Sequence, residues 1–153
     1  AIVTYLMDKN GWSANEVSAY MNKKCGVFGM SGVSSDFRDL SAAAAEGNER
    51  AKMAVDLFCY EVKKYIGAYA AAMNGVDAVV FTAGVGENDN EVREKVLHGL
   101  NYLGVDVDFE YNRSCPRGKE ITLTKPESKV KVFVIPTNEE LVIAKDTAAL
   151  TAR

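Results

Sequence analysis

The feature that most limits what this chain can fold into is the apolar, β-branched run at residues 76–82, VDAVVFT. Asn74-Gly75 closes it on one side and Ala83-Gly84-Val85-Gly86 on the other. A run this short and this apolar between two turn signals reads as a buried strand in a parallel pairing. A second such run, at 130–135, ends at Pro136-Thr137-Asn138, and helical periodicity follows from about 139 to 150. Parallel strands need crossover connections, usually helical. The order of helices, strand, glycine turn, helix, strand and helix therefore places the chain in the α/β class. A weaker third strand is expected near 119–124. So small a sheet needs much helix cover.

The first 75 residues promise that cover. Residues 1–9 read as a helix stopped by Asn10-Gly11. Ser13 and Glu16 stand at capping-box spacing ahead of a helix to about Lys24, and Trp12 is expected to pack at the junction. The stretch GVFGMSG at 26–32 is too rich in glycine for a regular helix and reads as a loop. Ser34 or Ser35 would cap a short helix carrying Asp36, Phe37 and Arg38, broken by Glu46-Gly47-Asn48. The longest helix runs from about 48 to 73, with Ala51, Val55, Phe58, Val62, Tyr65, Ile66, Tyr69 and Met73 on one stripe. Beyond the glycine loop at 83–88, Asp89 or Asn90 caps a helix to about 103, with His98 inside it and Gly104 as its stop. Residues 105–118 read as irregular.

The 153 residues suit one domain, and 48% apolar with 25% charged is an ordinary globular mix. A net charge of −3 without a basic run argues against nucleic acid and anionic membranes as partners. No apolar stretch approaches the roughly 20 residues of a membrane helix. Three widely spaced cysteines without a C-x-x-C pair read as free thiols of a reducing cytoplasm, and a single histidine excludes a His-rich metal site. The opening AIVTYLM carries no charged leader region. It reads as the interior of a longer protein, so the sheet is expected to be incomplete.

Three places could carry chemistry. Ligands of open α/β sheets bind beyond the carboxyl ends of strands. Gly84 and Gly86, on the loop Gly84-Val85-Gly86-Glu87-Asn88, would let a nucleotide approach the backbone, with free N–H groups of the next helix behind them. No Gly-Lys-Ser/Thr follows, so this is not a Walker A loop, and a plain strand-to-helix turn is the alternative. In SGVSSDFR at 31–38, Arg38 could face a phosphate or lie on the surface. In PTNEE at 136–140, Thr137 and Glu140 have capping-box spacing, which leaves Glu139 to hold Mg²⁺ or simply to match the helix dipole.

Together the phrases SGVSSDFRDL at 31–40, FTAGVGEN at 81–88 and VFVIPTNEELVIA at 132–144 resemble the C-terminal part of the acetokinase family. This family belongs to the sugar kinase/Hsp70/actin superfamily. Asn112-Arg113 and Arg117-Gly118 fit its pattern too. The resemblance covers the chain in order. It implies an incomplete ribonuclease H-like (actin-like ATPase) domain, helix-rich with a small, mainly parallel sheet, spanning 1–153 as the C-terminal nucleotide-binding fragment of a two-domain, cytoplasmic, homodimeric kinase. It implies ATP and acetate as substrates, giving ADP and acetyl phosphate, with Mg²⁺ as cofactor. By resemblance Asp36, Phe37 and Arg38 belong to the nucleotide site, Gly84, Val85, Gly86, Glu87 and Asn88 hold adenosine, and Glu139 binds magnesium. The family's catalytic aspartate, transition-state histidine, N-terminal asparagine and substrate arginines would all lie upstream, so the fragment is expected to be inactive alone. The alternatives are a propionate kinase fragment and a free-standing nucleotide-binding or dimerisation module.

Overall fold

The computed structural model describes residues 1–152. Two compact units divide the chain, Ala1–Val62 and Lys63–Arg153.

In the first unit, α1 (Ile2–Asn10) ends at Gly11, whose φ of 63° is the left-handed geometry glycine adopts freely. The expected capping box opens α2 (Ala14–Lys24): the Ser13 N–H donates to Glu16 Oε2 at 2.8 Å, and the Glu16 N–H returns to Ser13 Oγ at 3.3 Å. Trp12 packs on Tyr20 with ring centroids 5.0 Å apart, which fixes the junction. The glycine-rich stretch is a helix rather than a loop, α3 (Gly26–Ser31). A Cβ on Gly29 would lie 2.9 Å from the Lys24 carbonyl oxygen, so this glycine serves close approach, not flexibility. Asp36, not a serine, caps α4 (Phe37–Ala45).

The long helix α5 (Glu49–Ala72) has its first turns in this unit and its last in the second. Asn48 Oδ1 caps it, accepting from the Arg50 and Ala51 N–H groups. Arg50 grips the Met30 carbonyl at 3.1 and 2.9 Å. Leu40, Val17, Ala51, Ala54, Val55 and Cys59 form the core. The predicted stripe is buried only in its first half: Tyr65, Tyr69 and Met73 are all about 60% exposed.

The second unit holds a three-stranded sheet in the order β1-β3-β2, where β1 is Ala78–Phe81, β2 is Ile121–Thr122 and β3 is Lys131–Val134. The β1 and β3 strands are parallel, with Val79 opposite Val132 and Phe81 opposite Val134. The short β2 pairs antiparallel, so the sheet is mixed with its longer ladder parallel. The expectation of a fully buried β1 fails because it is an edge strand: Val80 is 50% exposed, whereas Val132 and Val134 of the central strand are buried.

Besides the sheet this unit has α6 (Ala83–Asn88), α7 (Asn90–Leu97), a 3₁₀ turn (Asn101–Leu103), α8 (Phe109–Ser114) and α9 (Glu139–Thr151), the last with no buried residue. Three of these correct the sequence reading. The glycine loop at 83–88 is the helix α6, entered through Ala83 at the left-handed φ of 58°. The helix after it stops at Leu97 because Gly99 takes a φ of 81°. His98 is its exposed C-cap, stacked on Phe109 with centroids 4.5 Å apart. Within the supposedly irregular 105–118, Asp108 accepts from the Tyr111 N–H at 2.8 Å and starts α8. Val96, Leu100, Leu123 and Val132 are almost wholly buried here, each contributing about 1.5–3 kcal/mol of transfer free energy. No helix among the described residues is long and apolar enough to cross a membrane.

Candidate functional site

The adjacent parallel strands β1 and β3 end on the same side, and the Ile135 N–H donating to the Phe81 carbonyl at 2.9 Å carries their pairing one step further. From that end β1 releases α6, which holds Gly84, Val85, Gly86, Glu87 and Asn88, and β3 releases the segment leading to Glu139. Gly86 has a steric reason to be glycine: a Cβ there would lie 3.3 Å from the Phe81 carbonyl carbon. The Asn88 side chain turns back and donates to the Gly84 carbonyl at 3.0 Å. The Glu87 side chain reaches away from α6. Its Oε1 accepts from both the Thr137 N–H at 2.8 Å and the Thr137 hydroxyl at 3.1 Å.

That link replaces the predicted capping box between Thr137 and Glu140. Asn138 caps α9 instead, its Oδ1 accepting from the Leu141 N–H at 3.0 Å. Glu139 is the first residue of α9. It is exposed, and its carboxylate has no hydrogen bond or ion pair among the described residues. Nor do three or more His, Cys, Asp or Glu side chains gather anywhere among the described residues. An all-protein metal cage is therefore not built here. A free single carboxylate fits Mg²⁺ chemistry, because that ion keeps several waters and combines one or two carboxylates with substrate phosphates.

Sequence reasoning missed Arg93. This α7 arginine is only 2% exposed. Its Nη1 donates to the Gly86 and Glu87 carbonyls at 2.9 and 2.8 Å, its Nε to Asn112 Oδ1 at 2.9 Å, and its Nη2 approaches Cys115 Sγ at 3.6 Å. Burial pushes the guanidinium pKa down from its ordinary value, and the neighbouring Cys115 and Asp89 oppose that shift. Asn112, fully buried, donates in turn to the Asn90 carbonyl at 2.9 Å. Arg113 pairs with Glu94 through two bonds. A polar cavity of about 70 Å³ lies among Glu87, Asn88, Arg93, Asn112, Cys115 and Arg117. A signal for Arg93 was present in the sequence: it shares a helical arc with Val92, Val96 and Leu97, where an unsatisfied cation could not stay.

In the first unit, Asp36 Oδ1 accepts from the Arg38 N–H at 2.9 Å while both carboxylate oxygens hold the Arg38 guanidinium. The side-chain hydrogen bond from Arg38 lowers the Asp36 pKa from 3.8 to about 2. Ser34 accepts from the Asp36 N–H and donates to Asp39 at 2.8 Å. Phe37 packs edge-on against Phe58, centroids 4.6 Å apart. Arg38 remains 89% exposed although it is ion-paired.

A helix-rich α/β chain with a small mixed sheet, its parallel strands releasing a glycine helix and an acidic helix start side by side, is part of an actin-like ATPase fold. Its sequence makes the assignment narrower: residues 1–145 match the profile of the acetokinase family, and the chain belongs to that family. It is 60% identical over 150 residues to the acetate kinase of Treponema denticola, an alignment that covers 98% of this chain and 37% of that protein. The crystal structure of Porphyromonas gingivalis acetate kinase superposes with a TM-score of 0.88 at 51% identity, covering 97% of this chain and 37% of that one. A propionate kinase from Francisella tularensis subsp. tularensis SCHU S4 gives a TM-score of 0.80 at 36% identity, covering 95% and 36%. The chain thus spans a little over a third of the length of these relatives.

Proposed function

We propose that these residues are the C-terminal nucleotide-binding portion of an ATP:acetate phosphotransferase, which moves the γ-phosphoryl group of ATP reversibly onto a carboxylate oxygen of acetate. Breaking the P–O bond to ADP and forming the one to acetate yields acetyl phosphate. The observation that carries this reading is the Glu87–Thr137 link, which joins α6 to the start of α9 at the carboxyl ends of two parallel strands, where ligands of such sheets bind.

In this reading α6, through Gly84, Val85, Gly86, Glu87 and Asn88, takes the adenosine end of the nucleotide; Asp36, Phe37 and Arg38 are nucleotide-binding residues by the family resemblance. Glu139 holds Mg²⁺, which when bound neutralises charge on the phosphates. Phosphoryl transfer depends on positioning and on charge around the γ-phosphate. The chain spans only 37% of an acetate kinase, so the 153 residues alone bind nucleotide without turning it over. Acetate is the substrate of this reading because acetate kinases match at 51 and 60% identity; a propionate kinase matches too, at 36%, and propionate is the alternative. Dimerisation and a cytoplasmic location belong to the same reading.

Isothermal calorimetry of the chain with Mg-ATP, paired with thermal melts, tests it. Binding should give heat and a melting temperature that climbs with ligand concentration. A hydroxamate assay should detect no acetyl phosphate. Absence of both heat and stabilisation would leave a dimerisation module as the better account, and turnover by the chain alone would refute the division of labour.

A further inference from the structure

Two features of the site are not explained by its secondary structure. The last carbonyls of a helix are ordinarily left to water or to a cap, yet those of Gly86 and Glu87 are held by the buried Arg93 guanidinium, itself pinned by Asn112. Thr137 stands ahead of the helix α9 that Asn138 already caps, yet its N–H and hydroxyl both reach Glu87, fifty positions back. Arg93 thus fixes the backbone from which Glu87 projects, and Glu87 fixes Thr137. Two residues further on stands Glu139, exposed and with its carboxylate unbonded among the described residues.

We propose that the Arg93–Glu87–Thr137 chain of contacts is a brace in which Glu87 is a positioning residue: it ties the α6 segment to the start of α9, so that nucleoside held by α6 sets where the Glu139 carboxylate meets the cation carried by the phosphates. The proposal rests on the functional reading above, which supplies both ends of the ligand. Without the brace each end keeps its own fixings. Arg93 still holds the carbonyls of α6, and Asn138 still caps α9. What is lost is the coupling between them, and coupling of two binding events is reciprocal.

The test uses the 153-residue chain, ADP as probe, and titrations with and without Mg²⁺, alongside hydrogen exchange at the Thr137 amide. In the wild-type chain that amide is protected, and magnesium tightens ADP by a measurable factor. Glu87→Ala should speed Thr137 exchange about tenfold or more, and Glu87→Gln, which keeps an acceptor oxygen, should restore most of the protection. Glu87→Ala, which removes both bonds to Thr137, should cut the magnesium factor by about fivefold, at the low end of typical coupling; Thr137→Val, which loses the hydroxyl bond and keeps the amide one, should cut it by less, with metal-free ADP affinity held within about twofold. Thr137→Ser should recover it. Glu139→Ala should abolish the factor. The brace is overturned if Glu87→Ala leaves Thr137 exchange unchanged, or leaves the magnesium factor at its wild-type value. A full magnesium factor in Glu87→Ala beside a lost one in Glu139→Ala sinks the brace alone. Failure of the wild-type chain to bind ADP sinks the functional reading together with it.

Discussion

Replacing Arg93 by methionine removes one buried group on which four polar atoms depend: the Gly86 and Glu87 carbonyls, Asn112 Oδ1 and Cys115 Sγ. Methionine fills a similar stem volume, so the loss is of bonds more than of packing. Asn112 is 0% exposed, so its oxygen cannot rehydrate. An orphaned buried acceptor costs about 1–3 kcal/mol. The two carbonyls lie nearer the surface and recover water, leaving a loss of about 1 kcal/mol each. Against this, the variant no longer buries a charge, which offsets part of the loss. The net expectation is a destabilisation of about 2–4 kcal/mol, a large share of the roughly 5–15 kcal/mol typical of a domain. Urea denaturation followed by far-UV circular dichroism reads it. Trp12 is the chain's single tryptophan and lies in the other unit, so its fluorescence is the internal control. Arg93→Lys, a point charge without the planar fork, should fall between wild type and methionine. A loss under about 0.5 kcal/mol, the level of an ordinary surface substitution, would refute the claim that Arg93 organises α6.

Gly86→Val should abolish the calorimetric signal with Mg-ATP, because its branched side chain begins 3.3 Å from the Phe81 carbonyl carbon and pushes α6 off β1; unchanged affinity would remove α6 from the nucleotide site. Asp36 has a folded pKa of about 2, below its ordinary 3.8, so its ionised form favours the folded state above about pH 4, and that contribution fades as the pH falls toward 2. The stability gap between wild type and Asp36→Asn should accordingly shrink over that window, and a constant gap in acid denaturation would show the Arg38 pair to be idle. An aromatic disulfide reagent should react with the exposed Cys25 first and with Cys59, 3% exposed, last; the reverse order would contradict the packing of α5.

Much of the fold was legible because local rules and tertiary packing agreed. Ser13 and Glu16 announced α2, Asn10-Gly11 ended α1, and the two apolar runs became β1 and β3. The errors cluster where a residue answers to a distant neighbour. Gly29 and Gly86 read as loop-formers but sit in helices, because what each avoids is a clash with the Lys24 carbonyl or the Phe81 backbone. Thr137 read as a cap, since Glu87, the partner that claims it, is invisible to any local window. The α5 stripe placed Tyr65, Tyr69 and Met73 on one face with Ala51 and Val55, but periodicity records which residues share a face, not whether anything covers it. Of the candidate site, Gly84–Asn88 and Glu139 stand out in the sequence by their motifs, whereas Arg93 is marked only by its place on the apolar arc of α7, where the structure buries it.

The corner between β1 and α6 is built in an unexpected way. Ala83, at a φ of 58°, occupies the left-handed region where a side chain costs about 1–2 kcal/mol and glycine costs nothing. Gly84, next to it, has no atom within 4 Å of where a Cβ would lie. The methyl group is where glycine would be relaxed, and the glycine is where a methyl would fit. The result is mechanical. A left-handed alanine has one narrow well, so the joint that carries α6 behaves as a stiff bracket rather than a hinge. The bare Cα of Gly84 leaves the space beside that bracket open.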